Sequence, residues 1–141
     1  MNKSVDLGLL LLRLALGGIM IAHGVRKILD GPQGFADHLA NNLGIEQALA
    51  VAWFTIIAEI GGGAMVALGV LPRIGALLIA LVMAGAIWTV HWENGFFLAG
   101  QVTEAGPVPN GYEFNLALLA MALAIISAGG GAFSLLRSKR K

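Results

Sequence analysis

Charged residues along this chain cluster between long apolar runs. Leu7–Val25 is apolar apart from Arg13 and the polar His23. Ala48–Leu71 carries Glu59 as its one charge, and Ile74–Val90 and Phe114–Leu136 carry none. A hydrocarbon core about 30 Å thick takes roughly 20 helical residues, with about 17 as a short limit. Each run meets that limit. The pattern therefore predicts four transmembrane helices over approximately 7–25, 48–71, 74–91 and 113–136. Pro72 and Arg73 make a tight turn between the second and third. The other two connections, 26–47 and 92–112, lie at the opposite ends of the helices, and Phe35–Leu39 reads as a short interfacial helix within the first of them.

Spacing of three and four residues aligns side chains on one helical face. On the first helix this face is Arg13, Gly17, Met20, Gly24 and Lys27, with His23 at its edge. On the second it is Ala52, Thr55, Glu59, Gly63 and Val66, and on the third Ala80, Ala84, Ile87 and His91. The fourth shows the longest such stripe: Glu113, Ala117, Ala120, Ala124, Ser127 and Gly131. Lipid supplies no hydrophobic drive for helix association, and small residues let backbones approach closely. The four stripes are therefore expected to meet in the centre of a bundle. Orientation follows from Lys and Arg in the flanks. With both termini cytoplasmic, the inner side holds Lys3, Arg73, Arg137, Lys139, Arg140 and Lys141, and the outer side only Arg26 and Lys27. The fold expectation is all-α: one membrane domain over 1–141, a four-helix transmembrane bundle with both ends inside.

Composition agrees. Hydrophobic residues make up 57% and charged residues 12% of the 141, about half the charge of an ordinary soluble domain. The net charge of +1 gives no field for nucleic acid. Cysteine is absent, which excludes disulfides, thiolate metal sites, c-type haem attachment and cysteine catalysis.

Ionisable residues within the bilayer need partners, because a charge at its centre costs about 2.5–3.5 kcal/mol even on insertion scales. Counting along the predicted helices puts Arg13 and Glu59 at similar depth, which predicts a buried ion pair, chiefly structural. A proton-linked or ligand-facing role for Glu59 is the alternative. A second cluster forms at the outer end: His23, Lys27, His91, Glu93, Glu113 and Asn115. It reads as a polar pocket. His23 and His91 would also suit haem b or a metal ion, without any motif of diagnostic spacing. Lys27 reads as a snorkelling anchor and His38 as a surface residue. Trp92, Phe96 and Phe97 in the long outer connection fit either a flap over that pocket or an interfacial aromatic belt.

Taken in order, these residues resemble the DoxX family of small bacterial four-helix membrane proteins. The resemblance runs through Arg13, Gly17 and His23-Gly-Val-Arg-Lys27, then Ala58-Glu-Ile-Gly-Gly62, Leu68-Gly69 and Arg73. It continues with Asn94-Gly-Phe-Phe97, Gly111-Tyr-Glu113 and the glycine-rich Gly129–Leu135. Where the family commonly has an aspartate after Ser-Leu, this chain has Leu136. The resemblance implies a multi-pass protein of the bacterial cytoplasmic membrane, tied to redox physiology and oxidative stress and working beside soluble or membrane redox enzymes. Arg13, His23, Lys27, Glu59, Asn94 and Glu113 are the matching polar positions.

The leading expectation is a membrane subunit, itself non-catalytic, of a quinone-linked oxidoreductase. In it His23, Lys27, Glu59, His91, Asn94 and Glu113 would handle a quinone-like ligand or its protons, with Phe96 and Phe97 closing over the ring. The alternatives are a non-catalytic anchor or assembly factor for soluble redox enzymes, and a small proton-coupled transporter using Glu59. Small-residue faces also suit a homo-oligomer.

Overall fold

The first helix, α1, spans Lys3–Leu29, longer at both ends than its apolar run. Asp6 in its first turn and Arg26 and Lys27 in its last suit the helix dipole. The structure, a computed structural model, describes residues 3–98, 102–103, 106–107 and 110–136. Pro32 opens α2 (Pro32–Leu43) and Gly44, at φ 64°, closes it, so the short helix foreseen around Phe35–Leu39 runs to three turns. Next comes α3, Ala48–Leu68, in which Ala58–Gly62 winds as a π-helix. Gly69 ends it at φ 71°. After a turn with Leu71 at φ 49°, Pro72 starts α4 (Pro72–Asn94). This helix also loosens to a π-helix at Ile87–His91 and tightens to a 3-10 turn at Trp92–Asn94. A two-residue antiparallel ladder pairs β1 (Val102–Thr103) with β2 (Gly106–Pro107). The last helix is α5, Glu113–Ala128. Apart from that ladder the described chain is helical, and α1, α3 and α4 are long and apolar enough to cross a membrane; α5 is apolar but shorter.

Glycines set the packing. A Cβ on Gly17 would stand 2.5 Å from the Gly63 carbonyl oxygen, and one on Gly24 would stand 3.1 Å from the Glu59 Cβ. These close approaches hold α1 antiparallel to α3. Gly62 and Gly75 make the matching approach between α3 and α4. The main core gathers Leu16, Met20, Val66, Ile79, Leu118 and Ile125 from α1, α3, α4 and α5. A smaller core of Ala36, Leu39, Ala48 and Ala52 seats α2 against the N-terminal half of α3.

Three sequence expectations need correction. The fourth helix stops at Ala128 rather than 136, because Gly129 at φ 81° breaks it and the chain turns back. Leu135 and Leu136 donate their amide protons to the carbonyls of Leu68 and Gly69. The small-residue stripe of that helix faces outward: Ala117, Ala120, Ala124 and Ser127 are exposed, whereas Leu118, Ala122 and Ile125 are buried. Ala84 on α4 is exposed as well. The stripes of α1 and α3 do face inward, with Arg13, Gly17, Met20 and Gly24 opposite Ala52, Glu59, Gly63 and Val66.

The third correction concerns Arg13 and Glu59, which do not pair. The glycine contacts place Glu59 beside Gly24, roughly 16 Å along α1 from Arg13 at 1.5 Å per residue. Arg13, 1% exposed, instead fans across carbonyls at the opposite end of the bundle. Its Nε donates to Val66 O at 2.9 Å, and its terminal nitrogens donate to Ala67 O, Gly130 O, Phe133 O and Ser134 Oγ. Val66 and Ala67 lie in the last turn of α3, whose carbonyls lack i+4 amide donors within the helix. A cation there is also favoured by the helix dipole. Asp6 adds a second tie by accepting the Ala132 amide proton at 2.9 Å. The basic tail Arg137–Lys141 and the loop residues Gly100, Glu104 and Pro109 lie outside the described residues.

Candidate functional site

Glu59 finds its counter-charge one helical turn beyond Gly24. Lys27 Nζ lies 2.7 Å from both Glu59 carboxylate oxygens. The carboxylate is 3% exposed and the lysine side chain 21%. Lys27 is thus no simple snorkelling anchor: its stem bends inward, and its ammonium also sits 5.3 Å from the centre of the Phe35 ring on α2. That arrangement adds cation–π attraction to the ion pair.

The pair forms part of the wall of a cavity of about 610 Å³, within the roughly 300–1,000 Å³ usual for small-molecule sites. All five helices contribute. Met20, His23 and Lys27 come from α1, Phe35, His38 and Leu39 from α2, and Val51, Phe54, Thr55 and Glu59 from α3. Leu81, Gly85, Thr89 and His91 come from α4, and Phe114, Asn115 and Leu118 from α5. Apolar surface dominates and the polar groups are few, the usual makeup of a site for a largely apolar molecule.

Both π-helical segments border this cavity, one through Glu59 and the other through Thr89, Val90 and His91. An extra residue in a turn re-aims the side chains beside it, and such turns concentrate at functional sites. Thr55 and Thr89 each donate a hydroxyl proton to the carbonyl four residues back, Val51 and Gly85, at 2.8 Å. This back-bonding bends helices. It occurs three residues before one π-helix and within the other.

His23 and His91 both line the cavity. The His23 ring lies 6.0 Å from that of Phe114, and His91 Nδ1 lies 2.8 Å from the Asn110 carbonyl oxygen. Donation from Nδ1 to that carbonyl leaves Nε2 for another partner. Among the described residues no group of three or more His, Asp or Glu side chains could hold a metal ion.

Asn94, Phe96, Phe97 and Glu113 are not among the lining residues. They build the outer cover instead. Gly111, Tyr112 and Glu113 donate backbone protons to Phe97, Gly95 and Phe96, respectively. Glu113 Oε1 accepts the Leu98 amide proton at 2.9 Å, and Asn94 donates to the carbonyls of Val90 and Asn110. The Phe96 ring packs edge-on against Phe97 and Tyr112, and Tyr112 stacks on Trp92. Phe96 and Phe97 thus stand in this cover, packed against one another and, through Phe96, against Tyr112, and Leu98 takes the wall position. His38 is exposed, as expected of a surface residue, and also borders the cavity. It follows Phe35 by three residues, which puts the two on one face of α2.

This is a helical membrane protein with a mainly apolar, partly open cavity and the Lys27–Glu59 pair in its wall. Residues 8–92 match the DoxX family, and the chain belongs to that family. It is also similar to CatD of Bacillus subtilis (strain 168), a protein named provisionally as an oxidoreductase. The two are 38% identical over 96 residues, which cover 68% of this chain and 69% of CatD. No solved structure matches the chain significantly.

Proposed function

We propose that this chain is the membrane subunit of a redox system and that its cavity binds a quinone-like lipophilic molecule. The observation that carries the proposal is the Lys27–Glu59 pair in the wall of an otherwise apolar cavity. A quinone head is a flat apolar ring with two carbonyl acceptors. Lys27 and the ring nitrogens of His23 and His91 are donors suited to such oxygens, and Glu59 holds the lysine where it can act. The apolar walls exclude water and accept the ring. Bound here, a quinone would supply the electron and proton chemistry that these side chains lack. The oxidoreductase name of the similar CatD protein supports a redox setting, with oxidative stress as its physiological context.

The same proposal takes the chain as one domain crossing the bacterial cytoplasmic membrane four times, with both termini in the cytoplasm. Length and apolar character support three crossings. For the fourth, α5 is apolar and, at 16 residues, close to the short limit of about 17, and the excess of Lys and Arg at the two ends supports the orientation. Without cysteine or a cofactor motif the chain would work with soluble or membrane redox enzymes rather than alone.

The test is an oxidised-minus-reduced absorption spectrum of protein purified in mild detergent, with chromatography of its organic extract. A near-ultraviolet quinone change, recovery of quinone in the extract and loss of both in Lys27→Met are the expected results. A Soret band would replace quinone with haem and direct attention to His23 and His91. A featureless spectrum together with no uptake of added quinone would sink the proposal and leave the anchoring role.

A further inference from the structure

The cavity wall changes character around its circumference. The α1 side carries His23 and Lys27, with Glu59 opposite them, whereas the stretch between α3 and α4 is formed by Phe54, Leu81 and Gly85. These last three are also exposed on the outside of the molecule, Phe54 by 51% and Leu81 by 55%. The same side chains therefore belong to both the cavity wall and the outer surface.

The packing explains the opening. The inner part of α3, from the π-helix to Leu68, lies close against α4, while its outer part, Ala48–Ile57, packs against α2 instead. The two helices diverge beyond Glu59 and leave a cleft. Leu81 and Gly85 stand roughly 14 and 20 Å along α4 from Pro72. In a hydrocarbon core about 30 Å thick, the cleft faces acyl chains rather than water. Phe35 and Leu39 of α2 and Leu98 line the cavity as well.

We infer that the cavity is loaded sideways from the bilayer by a quinone bearing a long apolar tail, with the ring beside Lys27 and the tail lying in the cleft between Phe54 and Gly85. This rests on the quinone reading of the site and narrows it to membrane-resident quinones, as against small water-soluble ones. Gly85 forms the floor of the cleft. A Cβ placed there meets nothing within 4 Å, so a bulky side chain is accommodated and occupies the space meant for the tail. Gly18, on the exposed face of α1, is equally open and does not line the cavity.

The test is equilibrium binding of two radiolabelled benzoquinones, one with a decyl tail and one without, to detergent-solubilised wild type, Gly85→Phe and Gly18→Phe. Wild type should prefer the tailed quinone. Gly85→Phe should weaken the tailed quinone about tenfold, the equivalent of losing roughly two buried methylenes, and leave the tail-less one unchanged. Gly18→Phe should match wild type for both. Equal wild-type affinity for the two quinones would overturn the inference, as would a Gly85→Phe protein that binds the tailed one normally or loses both alike. If wild type takes up neither quinone, the quinone reading fails and the inference falls with it.

Discussion

Lys27 and Glu59 form a two-point ion pair, 2.7 Å on each arm, that ties the outer end of α1 to the π-helix of α3. The two sides are not equally buried. Removing lysine strands a carboxylate that is 3% exposed, whereas removing the carboxylate strands an ammonium that is 21% exposed. Breaking a buried pair from one side typically costs about 3–5 kcal/mol. Lys27→Met should therefore reach that range and Glu59→Gln fall below it. The double variant should be more stable than Lys27→Met, because no charge is left unpaired. Thermal unfolding of the three variants in one detergent checks the order. Equal midpoints for Lys27→Met and wild type would remove the pair from any structural account.

Sequence reasoning found the faces of α1 and α3 but chose the wrong partner for Glu59. Periodicity says which side chains share a face, yet the register between two helices is a non-local property. Here it is set by the approaches of Gly17 to Gly63 and Gly24 to Glu59, and counting from the ends of the apolar runs misses it. The outward Ala117–Ser127 stripe on α5 has a different cause. Lipid and protein interior are both apolar, so hydropathy does not tell which side of a membrane helix is buried. His23, Lys27, Glu59 and His91 were recognisable because polar groups in apolar runs need a reason. The packing of Phe96 and Phe97 was not legible, because the pairing of 95–97 with 111–113 closes a long loop that local sequence does not encode.

Among the described residues Arg13 has no carboxylate partner, and its charge is met by carbonyls from two segments and the Ser134 hydroxyl. The planar guanidinium reaches them by presenting donors in several directions, which a lysine ammonium cannot reproduce. Arg13→Lys should lower stability by about 2–3 kcal/mol, the range for a charge-assisted hydrogen bond left unmade. Ser134→Ala removes one acceptor and should cost about 1 kcal/mol. Limited proteolysis beyond Ala128 should become faster in Arg13→Lys. An unchanged digestion pattern would mean that Arg13 does not fasten the C-terminal segment.

Neighbouring glycines on α1 should respond oppositely to alanine. At Gly17 the new Cβ would meet the Gly63 carbonyl oxygen at 2.5 Å and the Ala67 Cβ at 2.7 Å, backbone and short side chain that have little room to yield. Overpacking of this kind costs about 1–3 kcal/mol. At Gly18 nothing lies within 4 Å, and alanine is the better helix former by about 1 kcal/mol in water. Thermal midpoints should fall for Gly17→Ala and hold or rise for Gly18→Ala. The same sign at both positions would contradict the close packing of α1 on α3.

Glu113 separates a covering role from a ligand-contacting one. Its carboxylate accepts the Leu98 amide proton at 2.9 Å, while Leu98, not Glu113, lines the cavity. Glutamine keeps a carbonyl acceptor at that position and alanine does not. A partly exposed hydrogen bond of this kind contributes about 0.5–1.5 kcal/mol, so Glu113→Ala should speed amide exchange at Leu98 up to about tenfold, and Glu113→Gln much less. Quinone affinity should stay near that of wild type in Glu113→Gln and in Glu113→Ala, because the carboxylate does not line the cavity. Loss of binding in both variants would instead make the carboxylate a direct ligand contact and return Glu113 to the site itself.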